Sequence, residues 1–233
     1  VDTSSQLFNK YNKAIIALSG GADSAAVLML AAEYMGAENV LAATCVNNHV
    51  FSYEIRIAED ICKKLGVKHH KFQVDPVEGF VRNGDDRCYH CKKSIMAAIK
   101  NIEGYDVIFD GTSVDDKEDD RPGSKAIKEL DIKSPLKLLG YGKKEALEIV
   151  SPLNIKFYDE SCKATRLINP ITDIRMDKVE ELEDALREIL PNMRYRIDQN
   201  LIELKKPLKL KVKDFERINE AIRRICNTSG HTS

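Results

Sequence analysis

The chain has 233 residues, 43% of them hydrophobic, and 36 Lys plus Arg nearly balance 37 Asp plus Glu. It can bury one good core and a small second one, and its charge balance excludes a global field that would recruit nucleic acid or an anionic membrane. The longest apolar run, within residues 25–32, is too short to span a bilayer, and Val1-Asp2-Thr3-Ser4-Ser5-Gln6 carries no signal-peptide pattern, so the expectation is a cytoplasmic protein with no membrane partner.

In chain order, the apolar run Ala14–Leu18 reads as a strand, Ser19-Gly20-Gly21-Ala22-Asp23-Ser24 as a tight turn, and the alanine-rich run after it as a helix that stops near Gly36. Two glycines let the backbone turn sharply and approach a ligand. The first helical turn offers unpaired N–H groups and a positive dipole end to an anion. The commoner phosphate loop needs a Lys followed by Ser or Thr, and this one has Asp23-Ser24 instead. An Asp without a Lys suits a pyrophosphate bound to Mg²⁺, with the Ser19 and Ser24 hydroxyls as further donors. The loop resembles that of the PP-loop ATP pyrophosphatases, marked by Ser-Gly-Gly-x-Asp-Ser. The resemblance implies that ATP is cleaved between its α and β phosphates and that a carboxyl or carbonyl oxygen is adenylated. Ser19, Gly20, Gly21, Ala22, Asp23 and Ser24 would be the ATP-binding residues, with Asp23 also in the catalytic set.

Residues 39–46 read as a buried strand, and Ser52 as the cap of a helix whose apolar face includes Ala58, Ile61, Cys62 and Leu65 and which Gly66 closes. Cys45 and Cys62 are expected in the core. A third strand is expected over about 69–75, a helix from the Asp86–Lys93 stretch to about Ile102, and a fourth strand over 105–111. An acidic loop follows, broken at Arg121-Pro122-Gly123 before another helix. Strand and helix alternate, which predicts an α/β fold with a doubly wound parallel sheet. Ligands bind at the C-terminal ends of such strands, making Asp110, Gly111 and Arg121 crevice candidates, Gly111 and Arg121 for ATP.

Lys143–Val150 gives one more helix, and the domain boundary is expected in the stretch Ser161–Arg166 before a change of texture beyond Pro170, with domains at 1–168 and 169–233. Beyond it, an amphipathic helix through Val179 to Ile189, a strand pair over Met193–Leu204, an alternating stretch over Leu208–Lys213 and a helix from Asp214 to Cys226 describe a small α+β domain with a basic sheet face. It is expected to bind substrate or make a homo-oligomer contact. Arg194 and Arg196 could grip a substrate phosphate, because planar guanidinium forks match phosphate oxygens. The lysines at 209, 211 and 213 read as a solvated face.

Six cysteines in a chain of this kind argue for reduced thiols, metal ligands or chemistry. Cys88-Tyr89-His90-Cys91 places two thiols three residues apart at a helix start, a spacing open to zinc, a redox disulfide or an iron–sulfur cluster with a third, distant Cys. Cys162 is the best third thiolate, since it lies outside any core stripe beside Lys163 and Arg166.

Most of the chain, from Ser19 to about Glu203, resembles the LarE-type ATP-dependent sulfur transferases, which supply sulfur to the pyridinium precursor of the nickel-pincer cofactor. The likeness is carried by Ser19–Ser24, Asp110-Gly111-Thr112, Arg121-Pro122-Gly123, Ser134-Pro135-Leu136, Ser161-Cys162 with Arg166, and Arg194-x-Arg196. It implies that Cys88, Cys91 and Cys162 hold a 4Fe-4S cluster as metal ligands and act catalytically. Arg166, Arg194 and Arg196 would bind the acceptor, a small-molecule nucleotide. The sulfur would come from sulfide or a persulfide carrier. Leu167-Ile168-Asn169-Pro170 stands where the family has Pro-Tyr-Gly. Rival readings are a tRNA-thiolating enzyme, an NAD synthetase-like ligase that would leave Cys88 and Cys91 without a role, and a zinc- or nucleotide-binding adaptor. Near-neutral charge and the lack of an aromatic-rich basic segment count against tRNA.

Overall fold

The computed structural model describes residues 3–116, 122–158, 160–191 and 193–226. The chain forms two compact units, one running to Phe80 and from Gly84 to Phe157, the other made of Val81–Asn83 and the chain from Tyr158 onward.

The first unit opens with α1 (Thr3–Phe8), β1 (Ala14–Ala17), α2 (Ala22–Met35), β2 (Val40–Cys45), α3 (Ser52–Leu65) and β3 (Lys68–Phe72). The one-turn helix α4 (Glu78–Val81) leads to α5 (Arg87–Lys100), β4 (Val107–Phe109), α6 (Gly123–Glu129), α7 (Pro135–Leu139) and α8 (Lys143–Val150). The strands pair in the order β3-β2-β1-β4, all parallel, and Lys133 adds an isolated parallel bridge to Phe109. This is the expected α/β architecture. Both faces of β1 and β2 are covered: Ile16, Ala42, Ala26 and Leu28 belong to one core cluster, Ile15, Leu41, Met96 and Ile99 to the other. That explains why these strands read as continuous apolar runs. Cys45 and Cys62 are buried as expected, and burial raises the Cys45 thiol and pushes Cys62 up to about 12.

Ser52 is the first residue of α3 rather than its cap. The position before it is Phe51, whose N–H donates to Glu54 Oε2 at 3.2 Å. Met35 and Leu65 end their helices before Gly36 (φ 86°) and Gly66 (φ 67°), the conformations that glycine adopts at low cost.

The second unit contains α9 (Asp173–Leu186), the antiparallel pair β5 (Met193–Arg196) and β6 (Leu201–Leu204), and α10 (Val212–Cys226). Residues 158–168, which the sequence reading assigned to the first domain, pack here because Arg166 is tied to Glu183 of α9. The alternating stretch 208–213 forms no strand. It runs irregularly into α10, so the expected lysine-rich sheet face is absent from the described sheet. Among the described residues no helix is long and apolar enough to cross a membrane.

Candidate active site

The sheet order puts the topological switch point between β1 and β4, where connections leave in opposite directions and a crevice opens at the C-terminal strand ends. The loop Ser19–Ser24 leaves β1 there, and Asp110-Gly111-Thr112 leaves β4. Gly20 has φ 86°, and a Cβ on it would lie 2.2 Å from the carbonyl oxygen of Glu54. Only glycine fits that backbone and that space. A Cβ on Gly111 would sit 2.6 Å from the Ser24 nitrogen, so the β4 loop approaches the start of α2 as closely as a backbone can.

The loop is braced from within. Ser24 Oγ accepts from the Ser19 N–H at 3.2 Å, donates to the Gly21 carbonyl at 3.1 Å and lies 3.1 Å from Ser19 Oγ. Ser19 Oγ accepts from the Gly21 N–H at 3.3 Å. Ser24 is buried, and its hydroxyl holds the turn. Gly21 precedes α2 without a side-chain cap, so the first N–H groups of the helix are left for a ligand. Above them lies a cleft of about 230 Å³, lined by Ser19, Gly21, Asp23, Ser24, Lys92, Met96, Asp110, Gly111, Thr112 and Asp116 among others.

Asp110, 2% exposed, is the fixed point of the β4 side. Its Oδ1 accepts from Ser134 Oγ at 2.6 Å and the Thr112 N–H at 3.3 Å. Its Oδ2 accepts from Thr112 Oγ1 at 2.6 Å and Lys92 Nζ at 3.3 Å. Asp116 Oδ2 accepts from the Ser113 N–H at 3.0 Å. Asp23 and Asp116 offer oxygen ligands of the kind Mg²⁺ takes, and the metal would neutralise a bound pyrophosphate. Arg121, expected to bind ATP, lies outside the described residues.

Cys88 and Cys91 stand near the start of α5, one turn apart, Cys88 exposed and Cys91 half-buried. Cys91 Sγ lies 3.5 Å from Nε2 of His49, a buried ring that packs against Phe80 with centroids 5.1 Å apart. The sequence reading passed over His49, although it follows the C-terminal end of β2, where site residues gather in parallel sheets. Lys92 was passed over too, its neighbours being the thiols. His90 bonds Asp86 Oδ2 at 2.9 Å, and its ring covers Gly79, which has no Cβ to obstruct it.

In the second unit, Cys162 is half-buried before a short turn over Lys163–Arg166. Arg166, expected to bind substrate, is fully buried. Its guanidinium donates to Glu183 and Glu160, to the Ser161 carbonyl at 2.6 Å and the Cys162 carbonyl at 3.4 Å. Although burial opposes its charge, the two carboxylates raise its pKa further. Every direction around Arg166 is protein, so the side chain fixes the Cys162 segment. Arg194 reaches Glu160 Oε2 at 3.3 Å, and Arg196 donates to the Thr165 carbonyl at 2.5 Å and to Glu203 at 2.8 Å. Both lie on the half-exposed face of β5 and share partners with the Cys162 segment.

A 4Fe-4S cluster with one open iron needs three thiolates in one place. The first unit offers two, and among the described residues no group of three or more His, Cys, Asp or Glu is gathered to hold a metal ion. Among the described residues nothing supports the 4Fe-4S cluster that the sequence reading expected.

The NAD synthase family model matches residues 6–102. The chain is 30% identical over 213 residues to uncharacterized protein slr1717 of Synechocystis sp., covering 87% of this chain and 79% of that one. It is 34% identical over 218 residues to uncharacterized protein MJ0830 of Methanocaldococcus jannaschii, covering 90% and 84%. It is also 24% identical over 226 residues to the pyridinium-3,5-bisthiocarboxylic acid mononucleotide synthase of Lactiplantibacillus plantarum, covering 92% and 82%. The chain belongs to the family of slr1717 and MJ0830, and its Ser19–Ser24 loop on a parallel sheet assigns it to the PP-loop superfamily.

Proposed function

We propose that this protein is an ATP-dependent sulfur transferase of the PP-loop superfamily that activates a carboxylate or carbonyl of a small nucleotide acceptor, the favoured class being a pyridinium carboxylate mononucleotide. One observation carries the reading: α5 presents Cys88 and Cys91 and also contributes Lys92 and Met96 to the cleft over the Ser19–Ser24 loop. One rigid helix thus links a phosphate-binding loop to a pair of thiols. The likeness to the Lactiplantibacillus synthase over most of both chains supports the same class of acceptor.

In this proposal the loop and the N–H groups of α2 bind the phosphates of ATP, and Asp23 and Asp116 hold Mg²⁺. The acceptor oxygen attacks the α-phosphorus, the bond to the bridging oxygen breaks and pyrophosphate leaves. A sulfur nucleophile then attacks the adenylated carbon and AMP leaves, so one difficult substitution becomes two easier ones. Cys88, Cys91 and Cys162 are the thiols assigned to sulfur delivery. Arg194 and Arg196 hold the acceptor's phosphate, and Arg166 orients the segment that carries Cys162. The sulfur nucleophile is sulfide, which needs no change of oxidation state, and iron and acid-labile sulfide analysis after anaerobic purification tells whether a 4Fe-4S cluster holds it.

The test is to incubate the protein with ATP, Mg²⁺, sulfide and the pyridinium carboxylate mononucleotide, and to weigh the acceptor by mass spectrometry. Replacement of a carboxylate oxygen by sulfur supports the reading. The match to the NAD synthase model favours a second reading, an ammonia-using ligase. Under it, an amide forms from ammonia and the C88S/C91S double variant keeps full activity, whereas sulfur transfer is lost in that variant.

A further inference from the structure

The loop Ser19-Gly20-Gly21-Ala22-Asp23-Ser24 has no lysine. Among the described residues lining its cleft are three carboxylates, Asp23, Asp110 and Asp116, and a single cation, Lys92. A Mg²⁺ held by Asp23 and Asp116 would offset only part of a triphosphate's charge, and Lys92 is the cation among these lining residues that could offset more. We propose that Lys92, supplied by α5 rather than by the loop, is the cation that binds the phosphates of the nucleotide, and that Asp110 holds it until they arrive. The inference rests on the reading of the cleft as an ATP site.

Three features support it. The Lys92 side chain is 36% exposed and its partner Asp110 only 3%, so the amine sits toward the mouth of the cleft and the carboxylate at its wall. Asp110 also accepts from Ser134 Oγ, Thr112 Oγ1 and the Thr112 N–H, so it stays hydrogen-bonded when Lys92 departs. The Lys92–Asp110 contact is 3.3 Å long and the lysine is 36% exposed, so the amine can leave toward solvent while the buried Asp110 keeps its three other hydrogen bonds. The third feature is Gly123. A Cβ there would lie 3.1 Å from Lys92 Cδ, so this glycine leaves room for the lysine stem as it passes α6. A lysine is suited to the task, being a compact point charge on a flexible stem.

A neighbouring cavity, which shares Thr112 and Asp116 with the cleft, is lined by Lys128, Lys133 and Lys137 and offers the competing place for a phosphate.

Calorimetry with wild type, K92Q and K92R, each titrated with Mg·ATP and with adenosine, tests the proposal. K92Q is expected to lose about tenfold or more in ATP affinity, the size of one charge-assisted hydrogen bond, and K92R to recover most of it. Adenosine, which has no phosphate, should bind all three alike. An ATP affinity in K92Q within about twofold of wild type overturns the proposal and leaves the ATP reading standing, with the phosphate assigned to Lys128, Lys133 and Lys137. A wild type that binds no ATP overturns the reading itself. An equal loss of ATP and adenosine binding in K92Q marks a structural role and also overturns it. If the variants do not fold, lysine acylation of wild type read by mass spectrometry decides. Mg·ATP should shield Lys92 severalfold and adenosine should not, and equal labelling contradicts the proposal.

Discussion

Gly111, at the end of β4, is packed against Ser24 so tightly that a Cβ on it would lie 2.6 Å from the Ser24 nitrogen. The two loops at the switch point are thus held together by the absence of a side chain. G111A should force apart backbone that has no flexible atom to yield. We expect a loss of about 1–3 kcal/mol in stability and at least about tenfold in ATP affinity. G123A is the control for stability alone, because its nearest neighbour is the flexible Lys92 stem at 3.1 Å, and there it should cost less. Denaturant titration and nucleotide binding measure both.

The thiols should separate into two classes. Cys88 is exposed and Cys91 half-buried, whereas Cys45 and Cys62 are buried with thiols raised by desolvation, Cys62 to about 12. Since the thiolate is the reactive form, iodoacetamide at mildly alkaline pH should alkylate Cys88 and Cys91 in the native protein and reach Cys45 and Cys62 only after unfolding. Labelling of Cys62 before Cys88 would contradict the placement of α5.

Arg166 should behave as a structural residue. R166M leaves Glu183 buried without its cation, while Glu160 keeps Arg194 and Lys205, and removing one partner of a buried pair costs about 3–5 kcal/mol. Thermal unfolding should show the loss in the absence of any substrate. A variant with wild-type stability and weakened acceptor binding would instead return Arg166 to the substrate site.

His69 makes stability depend on pH. Burial, then the charge of Lys71, lowers its pKa below 6.5, while its Nε2 lies 2.8 Å from Thr44 Oγ1, which donates in turn to the Leu18 carbonyl just before the Ser19–Ser24 loop. Below about 6.5 the unfolded chain takes up a proton before the folded one, so this contribution is present above that pH and is lost as pH falls through the lower, folded value. Urea midpoints at neutral and mildly acid pH should show the decline. H69Q should flatten it, and an unchanged slope would exclude His69 as a source.

Much of the first unit was legible because the signals were local. A strand, two glycines and an alanine-rich helix in succession leave few alternatives, and the closing glycines 36 and 66 are where the sequence reading put them. The contribution of Lys92 was not legible, since its meeting with Asp110 depends on packing α5 beside β4. The setting of Arg166 was not legible for a related reason. A surface arginine and a buried one look alike in sequence, and the carboxylates of Glu160 and Glu183 that surround it become visible only when α9 folds over the turn. The alternation from Leu208 to Lys213 had the period of a strand, but a strand also needs a paired neighbour, and the β5–β6 ladder ends at Leu204.

The most direct measurement identifies the nucleotide products. With Mg·ATP, sulfide and a pyridinium carboxylate mononucleotide as acceptor, chromatography of α-labelled and of γ-labelled ATP should show AMP and pyrophosphate in equal amounts, and G111A should suppress both together. Release of ADP and phosphate would contradict the assignment of the Ser19–Ser24 loop to α–β cleavage.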